Sequence, residues 1–265
     1  MDKKLIFFDI DGTLIDERGE VAESTVCALQ KLKENGHQIF LASGRSKCGV
    51  PAKIVDIGFS GMVLANGAFV EYEGEEIYHD IMDIQMVFRI TEEMESKGAY
   101  LMYATRDACF VKKEATKYFQ TFSDNTLVID YHMELATEDI ENIDYCNFQG
   151  DIKEVELLFS DYFKIIPSSL PNEKTIDLDM SSGEILKCGV NKAVGIERIV
   201  KHLGRSSDSV ISFGDGYNDI EMIQYSNIGI AMGNAVNALK HHADKVAYNV
   251  SDGGIYKSLK ELGLI

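Results

Sequence analysis

The chain has 265 residues, with 43 acidic and 26 basic side chains, a net charge of −17 and 45% hydrophobic content. That apolar share supports a packed core and excludes a disordered chain, and the length suits one large α/β domain or two unequal ones. The acidity, without clusters of Lys and Arg, argues against nucleic acid and anionic membrane as partners, so any phosphate must be held locally.

Lys4 to Phe8 is a continuous β-prone run, the pattern of a strand buried on both faces of a parallel sheet. Its four apolar residues stop at Asp9, too soon for a signal sequence or a membrane span, and a cytoplasmic location is expected. Residues 21–35 place Ala22, Val26, Leu29 and Leu32 near helical spacing, with Gly36 as the stop. A second buried strand is expected at 39–42, ending at Ser43-Gly44-Arg45, and a third at 62–65, ending at Asn66-Gly67. This β-α-β-α-β rhythm predicts a doubly wound, Rossmann-like parallel sheet with its ligands at the carboxyl ends of the strands.

From Asp83 to Glu184 the pattern changes. A helix is expected at 84–97, strands at 100–104 and 108–111, a helix at 115–122, and a similar second half ending in a strand at 175–180. This reads as an inserted α+β domain, and its 21 acidic and 9 basic residues hold most of the negative charge. The expected division is residues 1–82 and 185–265 for the core and 83–184 for the insertion. The core rhythm then resumes. A helix over 192–203 stops at Gly204, a strand at 210–213 runs into Gly214-Asp215, and another at 228–232 runs into Gly233-Asn234. The five cysteines are far apart and form no C-x-x-C pair, so reduced, buried thiols are expected in place of a disulfide framework or zinc site.

Asp9-Ile10-Asp11-Gly12-Thr13 presents two carboxylates where a buried strand leaves the sheet. Such a pair suits phosphoryl transfer: one ionised Asp attacks phosphorus while its neighbour gives a proton to the leaving oxygen and later takes one from water. The same residues also make an ordinary turn. Gly214-Asp215-Gly216-Tyr217-Asn218-Asp219 follows another buried strand, and its oxygen ligands suit Mg²⁺. Alone it reads equally as a strand-to-helix turn with Asn218 or Asp219 as N-cap. Together, two acid clusters at strand ends would repel one another unless a divalent cation lay between them. Ser43-Gly44-Arg45 offers an anion site or a simple turn, and Lys192, with Lys187 as a local competitor, could offset a phosphoryl oxygen.

In their order along the chain these segments resemble the haloacid dehalogenase superfamily and, within it, the Cof-type phosphatases. The match runs from Lys4 to Asp252-Gly253-Gly254 and includes Ile230-Ala231-Met232-Gly233-Asn234-Ala235, followed by Ala243-Asp244. Ala193 departs from the pattern, since the subfamily often has Gly after the lysine. The resemblance implies that the insertion is the larger α/β cap, which selects substrate. It further implies Asp9 as the nucleophile forming an aspartyl-phosphate, with Asp11 as general acid and base that also offers its backbone carbonyl to Mg²⁺. Asp215 would complete the protein ligands of the metal, with Asp219 in its outer shell, and Ser43, Gly44, Lys192 and Asn218 would hold the phosphoryl oxygens.

The expectation is therefore a Mg²⁺-dependent phosphatase of small phosphorylated metabolites such as sugar phosphates, with no nucleic-acid or membrane partner. A phosphomutase of the same superfamily and a non-catalytic phosphate sensor are the alternatives. His241-His242 reads as a solvated helix face, Phe88 and Met94 as core, and Arg106, Lys112 and Lys113 as solvent-facing charges that could meet substrate.

Overall fold

A computed structural model of the chain describes residues 3–119, 125–167 and 181–265. In chain order the elements are β1 (Leu5–Phe8), α1 (Glu23–Glu34), β2 (Gln38–Ala42), α2 (Ala52–Val55), β3 (Gly61–Leu64), β4 (Phe69–Tyr72) and β5 (Glu75–His79). There follow α3 (Ile84–Ser96), β6 (Tyr100–Ala104), β7 (Cys109–Lys112), β8 (Thr126–Ile129), β9 (Asn142–Phe148), α4 (Ile152–Phe159), β10 (Phe163–Pro167) and β11 (Ser181–Lys187). Last come α5 (Lys192–His202), β12 (Val210–Gly214), α6 (Ile220–Tyr225), β13 (Ile228–Ala231), α7 (Asn237–His242), β14 (Lys245–Val246) and α8 (Gly254–Glu261). Among the described residues no helix is long and apolar enough to cross a membrane.

The chain forms two compact units, the first made of residues 1–44, 52–79 and 191–265. Its eight-stranded sheet has the order β14-β13-β12-β1-β2-β3-β4-β5, parallel from β14 to β3 and antiparallel thereafter. All four residues of β1 are buried, which explains why it reads as an unbroken apolar run; all five of β12 are buried too, with the hydroxyl of Ser212 donating to the Met222 carbonyl at 3.3 Å. Phe7 stacks on Phe40 at 4.6 Å between ring centroids and Phe8 on Phe213 at 5.1 Å. From β1 the chain winds outward through β2 and β3 on one side, and it later returns through β12, β13 and β14 on the other. The order therefore reverses between β1 and β12, and such a switch point opens a crevice at the strands' carboxyl ends.

The β4–β5 hairpin lies outside the expected strands. Its turn holds Glu73 at φ 50° and Gly74 at φ 83°, the doubly left-handed geometry of a tight hairpin. Glutamate at the first of these positions is not a turn signal, and the exposed Glu75 and Glu76 break the alternation that marks a strand.

The second unit comprises residues 45–51 and 80–190. Its sheet has the order β10-β11-β9-β6-β7-β8 and is antiparallel except for β7 with β8. Val87, Ile90 and Met94 of α3 and Val155 and Phe159 of α4 bury one face of it with Leu101, Tyr103, Ile143 and Ile185. Asp83 caps α3 by accepting from the Gln85 amide at 2.9 Å. Residues 45–51, expected in the core, cluster here, and the Cys48 amide donates to the Arg106 carbonyl at 2.9 Å.

The helix expected over 115–122 is instead a 3₁₀ helix over Lys113–Tyr118. Thr116 Oγ donates back to the Lys113 carbonyl at 2.8 Å, a local side-chain bond that competes with α-helical pairing. Residues 120–122 and the strand expected over 175–180 lie outside the described residues. All five cysteines are thiols outside any disulfide, but the expectation of burial holds for Cys109 alone: Cys27 and Cys188 are exposed and Cys48 and Cys146 are half-buried.

Candidate active site

Asp9 and Asp215 leave the sheet side by side because their strands are neighbours. Phe8 is in parallel register with Phe213, and the Asp9 amide donates to the Phe213 carbonyl at 3.0 Å. Ligand oxygens of Asp9, Asp215 and Asp219 all lie within 4.8 Å of one another. The loop of residues 9–13 reaches this point through Gly12, whose φ of 78° and contact with Asp215 both demand glycine. A Cβ there would stand 2.2 Å from Asp215 Oδ2. Asp11, two residues after Asp9, is exposed.

Lys192 is fully buried at the first position of α5. A cation there meets the positive end of the helix dipole and loses hydration, so its charge must be offset locally. Two carboxylates do this: Lys192 Nζ donates to Asp9 Oδ1 at 2.7 Å and to Asp219 Oδ1 at 2.6 Å. These partners hold the lysine well above its usual pKa against the opposing effect of burial. Lys187, the sequence competitor, instead pairs with Asp80 and donates to the Ile81 carbonyl, both in the second unit.

The second oxygen of Asp219 accepts from the amides of Asp215 at 2.8 Å and Gly216 at 2.9 Å. Both oxygens of Asp219 are thus engaged by the chain itself, whereas Asp9 and Asp215 share an anionic corner. Burial, the first cause, and the neighbouring carboxylates raise Asp9 to about 7 even though Lys192 pulls it down. Burial and then Asp9 push Asp215 to about 9. Hard carboxylate oxygens that repel one another fit a small divalent cation, and Asp9, Asp215 and Asp219 are the residues that could hold one here.

Ser43 is buried at the end of β2, where its amide donates to the Val63 carbonyl at 2.9 Å, and Gly44 follows, also buried. Asn218 Nδ2 donates to Asn66 Oδ1 at 3.1 Å. Ser43, Asn218 and Lys192 all lie in the first unit: Ser43 directly after β2, Asn218 in the turn between β12 and α6, and Lys192 at the start of α5. Of the other residues singled out in the sequence, His241 and His242 each bond a helix carbonyl four residues back. Met94 is core, and Phe88 is half-buried against it. Arg106 pairs with Asp107 and Lys112 with Glu95.

Asn234 has no part among the site residues named above, although it lies in one of the matching segments. Its Nδ2 donates to the Gly12 carbonyl at 2.7 Å and its Oδ1 accepts from the Val250 amide at 3.0 Å. On either side of it, the amides of Met232 and Val236 donate to the carbonyls of Gly214 and Asp215, each at 2.9 Å. The segment 232–236 therefore ties the two acid-bearing loops together. A polar residue just past a buried strand was the available signal.

Comparison with known proteins places the chain in a family. The family model described as haloacid dehalogenase-like hydrolase matches residues 6–259. YkrA of Bacillus subtilis (strain 168) is 32% identical over 265 residues, covering all of both chains. From the same organism, 5-amino-6-(5-phospho-D-ribitylamino)uracil phosphatase YitU is 26% identical, over 97% of this chain and 96% of its own. Among solved structures, the haloacid dehalogenase subclass IIB sugar phosphatase BT4131 superposes with a TM-score of 0.86 at 27% identity, over 99% of this chain and all of its own. The chain belongs to the haloacid dehalogenase-like hydrolases, in their Cof-type phosphatase branch, and is a phosphoric monoester hydrolase.

Proposed function

We propose that the protein is a Mg²⁺-dependent phosphatase that hydrolyses monoesters of small polyhydroxylated metabolites through an aspartyl-phosphate on Asp9. The observation that carries this reading is the meeting of Asp9, Asp215 and Lys192 at the β1/β12 switch point. An Asp9 oxygen attacks phosphorus as the bond to the leaving oxygen breaks, and Asp11 passes its proton to that oxygen. Asp11 then takes a proton from water, whose oxygen attacks the phosphorus and releases inorganic phosphate and free Asp9. Lys192, Ser43, Gly44 and Asn218 bind the equatorial phosphoryl oxygens and hold the ester in line.

Asp9 and Asp215 would hold the Mg²⁺, which when bound neutralises the approach of the dianion to Asp9. Residues 83–184 form the specificity domain in this reading. The polyol leaving group is supported by two relatives, one named for a sugar phosphate and one for a phosphoribityl compound. The test is phosphate release with Mg²⁺ from a panel of sugar and polyol phosphates, alongside a generic aryl phosphate. In the Asp9→Asn variant, turnover of all of them should fall on the order of 10³-fold or more while circular dichroism stays unchanged. Persistent turnover would remove Asp9 from the nucleophile's role.

A further inference from the structure

The chain takes an unfavourable path directly after β3. Ala65, Asn66 and Gly67 have φ of 47°, 53° and 101°, three left-handed residues in succession of which two carry side chains. All three are buried, and Asn66 is 1% exposed. Left-handed backbone is disfavoured for a residue with a Cβ, and a buried carboxamide is costly unless it is held by hydrogen bonds. A connection between antiparallel β3 and β4 requires neither feature. Strain of this kind persists where surrounding contacts over-determine it, and it gathers at functional sites.

The contacts of this turn are specific. The Asn66 amide donates to the Ser43 carbonyl at 3.0 Å. Its side-chain Oδ1 accepts from Asn218 Nδ2 at 3.1 Å. The Cα of Gly67 lies against the carbonyl of Asn191, so closely that a Cβ would stand 2.3 Å from that oxygen. Asn191 caps α5 by accepting from the Val194 amide at 2.9 Å and immediately precedes Lys192. One three-residue turn therefore makes direct contact with two of the four residues assigned to phosphoryl oxygens, Ser43 and Asn218, and with the N-cap of the helix that begins at another, Lys192.

We propose that Asn66 is a positioning residue of the phosphate site, acting through Asn218 and Ser43; this rests on the phosphatase reading above. An acceptor at position 66 selects the orientation of the Asn218 carboxamide in which nitrogen, not oxygen, faces it. A carboxamide nitrogen turned this way is the kind of donor a phosphoryl oxygen needs. The backbone N–H of Asn66 at the same time fixes the carbonyl of Ser43, so groups that follow β2 and β12 keep one spacing across β1, the strand between them.

The test uses the full chain with Mg²⁺, a generic aryl phosphate for kinetics, and inorganic phosphate as competitive inhibitor and calorimetric ligand. Asn66→Gly removes the acceptor while leaving the left-handed backbone unstrained, so folding is retained. It should raise KM and the inhibition constant for phosphate together by about tenfold, the size of one lost hydrogen bond to a charged ligand, with kcat changed much less. Asn218→Ala should do the same, and the double variant should be no worse than Asn218→Ala alone, because the two residues act as one unit. Losses that multiply in the double variant, or an unchanged KM in Asn66→Gly, overturn the inference.

Asn66→Asp supplies a second route should the glycine variant not fold. It tolerates the left-handed backbone and keeps the acceptor, but it sets a negative charge beside the dianion. The inhibition constant for phosphate should rise by about fivefold or more, and an unchanged constant overturns the role. Wild-type protein that neither cleaves the ester nor binds phosphate would defeat the phosphatase reading and this inference with it. Active wild type with an unaffected Asn66→Gly would defeat the inference alone.

Discussion

Lys192 and Asp219 form a fully buried ion pair that Asp9, itself buried, joins. Removing the charge of Asp219 leaves a buried ammonium with half its compensation and turns an acceptor into a donor facing other donors. Asp219→Asn should therefore lower unfolding stability by about 3 kcal/mol, seen as an earlier urea midpoint. Asp11→Asn, at an exposed position, should shift stability by no more than about 0.5 kcal/mol while abolishing turnover. The contrast separates the residue that maintains the site from the one assigned to proton transfer. Gly12→Ala combines left-handed strain with a collision against Asp215 Oδ2. It should cost about 1–3 kcal/mol and raise the Mg²⁺ concentration needed for half-maximal activity, since Asp215 must move to admit the methyl group.

Helix α5 is where element and chemistry meet. Its N-cap, Asn191, sets the angle at which the first residue, Lys192, enters the acid cluster. Asn191→Ala should lose about 1 kcal/mol of stability, measured as a lower Tm, and should raise KM for aryl phosphate because the ammonium loses its aim. Asn191→Ser restores a capping oxygen and should recover both. The strands contribute through their order: β1 and β12 are parallel neighbours, so their terminal carboxylates emerge from adjacent strands at one edge. The β4–β5 hairpin extends that sheet beyond β3, and the left-handed turn that begins it is the one that holds Asn66.

At the scale of the molecule, the raised pKa values of Asp9 and Asp215 link stability to pH. The folded chain holds these protons more tightly than the unfolded chain, whose carboxylates titrate near 3.8. Their contribution to stability is complete below that value and is lost as pH rises through about 7 and then about 9. Chelator-treated protein should therefore melt lower at about pH 9 than at about pH 6, each kcal/mol amounting to roughly 2–4 °C for a chain of this size. Mg²⁺ replaces the protons as the neutralising charge, so it should raise Tm more at the higher pH. A Tm insensitive to Mg²⁺ at both values would remove the cation from this corner.

The sequence by itself determined the fold class, the order of the buried strands and the two acid clusters. A strand buried on both faces must be apolar, so a carboxylate at its end marks where it leaves the sheet. It also singled out Lys192, though without separating it from Lys187. The tertiary structure alone tells their surroundings apart, because those of Lys192 depend on Asp9, 183 residues away in the chain, and on Asp219, 27 residues away. The same holds for Asn66 and Asn234, whose partners lie 152 and 222 residues away. Periodicity and turn chemistry are local properties, whereas a hydrogen bond across the sheet depends on which strands become neighbours, and no short stretch of chain encodes that.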